Sequence, residues 1–179
     1  LSSPWPKLGY REAVERFGTD KPDLRFGMEL QDVSEVFARS GFRVFQSALE
    51  AGGVIKCLVA AGCAGFTRKE VDELTETAKT FGAKGLATLA FTAEGMKGTA
   101  GKFVLPEEAE ALKAQTGAVE GDLVLLAADQ RAVVNKVLGG LRLSLRDRLQ
   151  LADKDLMAFA WVVDFPMFAW NEEEQKWDA

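Results

Sequence analysis

The groups in this 179-residue chain that could do acid–base or phosphate chemistry are few in kind. Histidine is absent, and the only cysteines are Cys57 and Cys63. Without an imidazole the chain lacks the commonest general base and metal ligand, and it can make neither a Ser–His nor a Cys–His nucleophile. Two cysteines with no partner ligands make neither a disulfide framework nor a metal site, so both read as small buried apolar groups. Chemistry therefore falls to carboxylates and cations, and these are densest in Phe17 to Leu30, FGTDKPDLRFGMEL. Asp20, Lys21, Asp23 and Arg25 stand within six positions there. On residue type alone the stretch reads as a solvated loop of mixed charge between two elements.

Local signals say how that loop is held. Pro22 fixes its own φ and pushes Lys21 out of the α region, so a preceding helix must stop, and Gly18 and Gly27 bracket the turn. Tyr10, Ala13, Val14 and Phe17 have the spacing of one apolar helical face. Ser2 to Lys7, with Pro4 and Pro6, is an extended entry. Asp32 is placed as the N-cap of a helix bearing Val33, Val36 and Phe37 and closed by Gly41. Phe42, Val44 and Phe45 are expected as a strand, followed by a turn at Gly52-Gly53 and a second strand from Val54 to Val59.

Thr67 and Glu70 form a capping box for a helix to Phe81, with Val71, Leu74, Ala78 and Phe81 on one face. Leu86 to Phe91 is a strand, and Thr92 to Gly101 an irregular loop. Pro106 opens a helix through Leu112. Glu120-Gly121-Asp122 turns into the strongly apolar strand Leu123 to Ala128. A longer helix from Asp129 reaches Leu141, with Gly139-Gly140 as a weak point or a close-packing site. Phe159 to Asp164 is a buried-strand pattern, and Trp170 to Asp178 an acidic, aromatic tail. Short strands alternating with helices predict an α+β fold, a mostly antiparallel sheet with helices packed on one face.

At 47% hydrophobic and 27% charged, the chain can bury a core and has no apolar run long enough to span a bilayer. It shows no secretory leader and does not begin with Met, which reads as a fragment or a trimmed start; the cytoplasm is the expected compartment. A net charge of −5 argues against nucleic-acid binding as a whole-chain property. Two zones are basic, however. Arg39 to Lys69 holds five bases against one acid, and Asp129 to Arg148 five against two. Arg39, Arg43, Arg68, Lys69, Arg142 and Arg146 are the candidates for an RNA-facing surface, with scattered bases on solvated faces as the competing reading.

FGTDKPDLRFGMEL resembles the segment after motif 2 in bacterial-type aspartyl-tRNA synthetases, where the chain leaves a class II catalytic domain for a large insertion. PKLGYREA before it is similar to the end of the same region. FTRKEVDEL, FGAKGLA and DLVLLAAD resemble the GAD insertion domain of that family, a module that also occurs in an archaeal-type glutamyl-tRNA amidotransferase subunit. WVVDFPMFAWNEEEQKW resembles the strand and hairpin that return to the catalytic domain, and a His-His-Pro-Phe segment follows it in the family.

The resemblance implies a catalytic-domain segment at 1–28, a GAD-like insertion at 29–150 and a returning strand and hairpin at 151–179. It implies a homodimeric parent that joins aspartate and ATP, with Mg2+, into aspartyl-adenylate and passes the aspartyl group to tRNA, by cation and metal stabilisation of phosphate charge. The groups that do this belong to motifs 2 and 3 and the His-His segment. No catalytic residue, metal site or cofactor site is thus expected within these residues, which should fold without forming adenylate. Asp20, Lys21, Asp23 and Arg25 would neighbour the active-site mouth, or form a salt-bridged turn that orients the insertion. Asp164 would be the acid of the returning strand, or a strand-end cap, and could oppose Arg25 where the chain crossings meet. An amidotransferase subunit and a non-catalytic RNA- or protein-binding module are the alternatives.

Overall fold

The computed structural model describes residues 5–171 and 174–178. The elements run β1 (Lys7–Gly9), α1 (Tyr10–Phe17), β2 (Gln31–Asp32), α2 (Arg43–Glu50), β3 (Val54–Ala60), α3 (Arg68–Thr80), β4 (Ala87–Thr92), β5 (Gly95–Lys97), α4 (Pro106–Thr116), β6 (Leu123–Asp129), α5 (Arg131–Leu149), β7 (Trp161–Val163), β8 (Ala169–Asn171) and β9 (Lys176–Asp178). Of the extended entry, residues 1–4 lie outside the described part, as do 172 and 173 of the tail.

The fold is α+β. An antiparallel sheet of five strands, ordered β2-β3-β6-β4-β5, forms its centre. Alternation along β3 and β6 divides the core in two, as a pleated strand buried on both faces requires. Leu58, Leu125 and Ala127 pack under α3 and α5 with Leu74, Val137 and Leu141. Ile55, Cys57, Val124 and Leu126 turn to the other face, where α4 (Leu112), α2 (Phe45) and the segment bearing Val33 and Phe37 cover them. The longer helices thus lie on one face, and shorter pieces close the second.

α3 begins with the capping box that the sequence predicts: Thr67 accepts from the Glu70 amide, and Glu70 accepts from the Thr67 N–H. α4 carries Pro106 in its first turn and runs on to Thr116, and α5 continues past Leu141 to Leu149. Gly139 and Gly140 form a close-packing site. A side chain at Gly140 would fall on the Phe81 ring, and Gly139 lies against the backbone of Gly18, itself at φ 74°.

Four local expectations fail, the first being the buried strand from Phe159 to Asp164: β7 covers only Trp161–Val163, and Phe159 and Trp161 are exposed. Asp32 does not cap a helix: it ends β2, and its carboxylate accepts from the Ser34 N–H (3.1 Å) and hydroxyl (2.6 Å). Ser34 Oγ then accepts from the Ile55 N–H (2.9 Å), so these side chains tie the turn to β3 and displace a helical ladder. Phe42 to Phe45 is not a strand, because Arg43–Glu50 is helical. Phe45 packs on Phe37 and Phe42 at ring distances of 5.0 and 4.8 Å, a contact that overrides β-rich composition. Thr92 to Gly101 is not wholly irregular, since β4 and β5 make a hairpin around Gly95 at φ 115°.

Away from the sheet, β1 and β7 pair in parallel, Lys7↔Trp161 to Gly9↔Val163. Leu8, Ala13 and Phe17 form a small third core there, with Leu24 and Val162 against it. The two ends of the chain therefore meet. β8 and β9 form a separate hairpin in which Trp170 faces Trp177.

Candidate functional site

Within the 17–30 stretch, the Asp23 carboxylate and the carbonyls of Asp23, Phe26, Gly27 and Met28 meet the C-terminal half of α5. α1 ends at Gly18, whose left-handed backbone lets its N–H reach the Val14 carbonyl (3.0 Å). The far end of the loop returns to the same helix: the Leu30 N–H donates to the Arg16 carbonyl (2.8 Å), and Arg16 grips Glu29 through Nε and NH2 at 2.7 and 2.6 Å. The intervening loop is filled from below by Arg142.

Arg142 is 1% exposed. Its Nε donates to the Met28 carbonyl (2.9 Å), and NH2 lies within 3.1 Å of the carbonyls of Asp23, Phe26 and Gly27. The guanidinium stacks 4.0 Å from the Phe26 ring centroid and 5.0 Å from that of Phe17. Burial lowers its pKa from the usual guanidinium range, with Asp23 and Glu29 acting against the shift. A planar fork with several donors suits such a cluster of carbonyls. Arg142 is therefore an interior strut, and its place among the surface bases is corrected: four carbonyls and two rings consume the group that would meet phosphate.

Asp23 is the second anchor. Arg25 grips its carboxylate with Nε at 2.9 Å and NH2 at 2.8 Å, and Arg146 NH1 adds a contact at 3.0 Å. Those hydrogen bonds, Arg25's foremost, hold the Asp23 carboxyl well below the usual carboxylate range. Arg146 also grips Asp147, at 2.8 and 2.9 Å, so it too is engaged within the fold. The turn is thus salt-bridged. Lys21 stands outside it, 86% exposed and 3.4 Å from Asp20. Asp164 follows β7 at φ 59° and is exposed. It does not meet Arg25, which pairs with Asp23 and reaches the Asp153 carbonyl at 3.4 Å. The opposed Asp164–Arg25 pair is not formed.

A second junction was not legible in the sequence as such. Lys56, in the middle of the apolar strand β3, is 1% exposed and donates to Glu15 Oε2 (2.6 Å), the Glu15 carbonyl (3.0 Å) and Asn135 Oδ1 (2.8 Å). Arg131 adds a bond to Glu15 at 2.6 Å. Burial alone would raise the Glu15 pKa, but hydrogen bonds from Lys56, Asn135 and Arg131 outweigh it and the net shift is downward. The available signal was one cation in an otherwise unbroken apolar run, a group that must find a partner where it is buried. Together Lys56 and Arg142 join α1 and its loop to the sheet module from two sides.

The other candidate bases scatter. Arg39 and Arg43 are exposed near α2, on the face opposite α3. Arg68 and Lys69 are 96% and 87% exposed on α3, with Asp72 and Glu73 at 3.9 and 4.0 Å. Cys57 and Cys63 are buried free thiols, and burial pushes the Cys57 thiol up to about 12. Among the described residues no group of three His, Cys, Asp or Glu could hold a metal ion, and no helix is long and apolar enough to cross a membrane.

The architecture therefore offers a docking joint between a sheet module and a pair of converging chain ends. Known sequences align with the chain on both sides of that joint. Over all of its length the chain is 48% identical to the aspartate–tRNA(Asp/Asn) ligase of Geotalea uraniireducens, and 45% identical to that of Bacillus anthracis, covering 30% of each. It is 51% identical over 97% of its length to the corresponding ligase of Rubrobacter xylanophilus, covering 29% of it. The chain spans about 30% of the length of these curated relatives. The GAD domain family model matches residues 45–138, which runs from α2 into the first half of α5 and is just over half of the chain. The chain belongs to the GAD domain family.

Proposed function

We propose that these residues are the insertion region of an aspartate–tRNA ligase. The observation that carries the reading is the parallel pairing of β1 with β7, which brings the residues before and after the sheet module together as one small sheet. A module entered and left at neighbouring points is built to sit within a host domain. Similarity to the ligases extends over both ends as well as the module, which supports this host over an amidotransferase subunit. The boundaries proposed are 1–28, 29–150 and 151–179, with α1 in the first segment and α5 in the second.

In this reading the parent forms aspartyl-adenylate from aspartate and ATP with Mg2+ and transfers the aspartyl group to tRNA, as a cytoplasmic homodimer. This region holds the insertion in place and takes no part in bond making. Arg142, Arg146 and Lys56 orient the loop bearing Asp20, Lys21, Asp23 and Arg25. Lys21 and Asp164 are the members of the candidate set left to approach a substrate. Arg39, Arg43, Arg68 and Lys69 are the bases left to meet the tRNA acceptor arm, where they would give weak, salt-sensitive contacts.

The test is aspartate-dependent exchange of pyrophosphate into ATP. The whole polypeptide that carries these residues should catalyse it, and the 179 residues alone should not. Exchange by the isolated chain, or none by a folded parent, overturns the proposal.

A further inference from the structure

The central sheet has a gap, and the gap opens into a cavity. β3 stays paired with β6 as far as Val54↔Asp129, whereas β4 stops at Ala87↔Leu126. The Phe91 N–H bonds the Asp122 carbonyl (3.0 Å), so in an antiparallel ladder the residues of β6 in step with 122, including 124, 126 and 128, direct their backbone groups toward β4. Ala128 is the member of that series with no strand residue opposite it. Side chains do not fill the space. It is a cavity of about 610 Å3 that opens to the surface, lined by Phe42, by Phe45 and Ala48 of α2, by Leu86, and by Val133 and Val137 of α5. A close-packed interior does not leave an apolar void of that size, and the volume suits a small ligand.

Its mouth is cationic. Lys84 is engaged by Asp129 at 2.9 Å, which leaves Arg43, exposed and with no hydrogen-bond or ion-pair partner among the described residues. Arg43 stands in the first turn of α2, which has no side-chain cap, so the helix end adds to its attraction for a negative charge.

We propose that this slot is a binding site for a small amphipathic carboxylate, an acyl chain of medium length. The chain lies between the two cores, the Ala128 backbone offers the polar contact within, and the carboxylate rests on Arg43. An apolar body with one anionic end matches the mainly apolar lining and the unpaired Arg43, and a neutral or cationic ligand leaves Arg43 unmatched. The slot shares no residue with the joint at Asp23 and Arg142, and it gives Arg43 a ligand other than the tRNA arm proposed above.

The experiment uses the whole polypeptide that carries these residues, with decanoate, decan-1-ol and a diazirine-bearing decanoate as probes. Photolabelling should fall on peptides from 42–51 and 126–137 and be displaced by decanoate. Arg43→Gln should weaken decanoate about tenfold, as expected for a lost charge-assisted contact, and leave decan-1-ol unchanged. Ala48→Trp, with folding verified by circular dichroism, should abolish binding of both. Labelling spread over the aromatic surface at 156–170 would overturn the proposal, as would equal decanoate affinity in Arg43→Gln. So would the absence of saturable binding, or a slot found closed by a peptide of a protein partner.

Discussion

Leu123 to Ala127 of β6 are all buried, and the sheet around them is covered on both faces. At the chain ends Trp161, Phe165, Met167 and Phe168 are each more than half exposed. They touch one another's neighbours, as in Tyr10 with Phe165 at 5.1 Å and Trp5 with Phe159 at 5.1 Å, but no layer lies over them. The β1–β7 pair has two strands, too few to bury an apolar face. The contrast is that one region covers its sheet on both faces, while the other leaves aromatic side chains exposed, which in the proposed reading meet the host domain. What joins them is polar: Arg142 under one loop and Lys56 under one helix.

Breaking the joint should have the largest effect. Arg142→Met leaves four carbonyls without their donor in a buried place, and a loss of about 3 kcal/mol in urea-unfolding stability is expected. A change below about 1 kcal/mol would show that the loop holds without it. Gly18→Ala tests the same joint by shape. It puts a side chain at φ 74° against the backbone of Gly139, and a cost of about 2 kcal/mol should appear in thermal unfolding.

Asp23 sharpens the comparison through pH. Its folded pKa is depressed, so its contribution is present above the unfolded value of about 4 and is lost as pH falls below that. Asp23→Asn should therefore flatten the acid limb of stability against pH between about 4 and 2, while leaving the alkaline side unchanged in slope. An acid limb as steep as that of the parent would place the titration elsewhere. Smallest of all, Arg68→Ala with Lys69→Ala should shift stability by less than about 0.5 kcal/mol, since both side chains stand in water beside exposed acids. A larger loss would mean that α3 carries structure at its solvent face.

The sequence was most legible where local chemistry and tertiary packing agree. Thr67 with Glu70, Pro106 and the apolar run at Leu123 each announced an element that formed. The glycine pair at 139–140 announced a close approach without naming Gly18 and Phe81 as what approaches. Phe42 and Phe45 misled because their β-rich composition gave way to an aromatic cluster with nearby Phe37 and with Phe103, which is distant in the chain. Asp32 misled because a helix cap and an Asx turn start from the same residue type, and Ser34 with Ile55 decided between them. Of the candidate site, the mixed-charge turn at Asp23 and Arg25 was readable as a loop, and its ion pair was one of two alternatives left open. Arg142 was visible as a base but not as a buried one, since burial depends on a loop more than a hundred residues earlier.

The central claim, that the chain ends belong to a larger domain and the sheet module is complete without it, is tested most directly by hydrogen exchange. Amides of β3, β6 and α5 should be equally protected in the isolated 179 residues and in the whole polypeptide. Those of β7 and of the segment from Phe165 to Trp170 should be protected only in the whole polypeptide, where the exposed aromatic residues are covered. Equal protection of β7 in both would contradict the account, because the ends would then be complete by themselves.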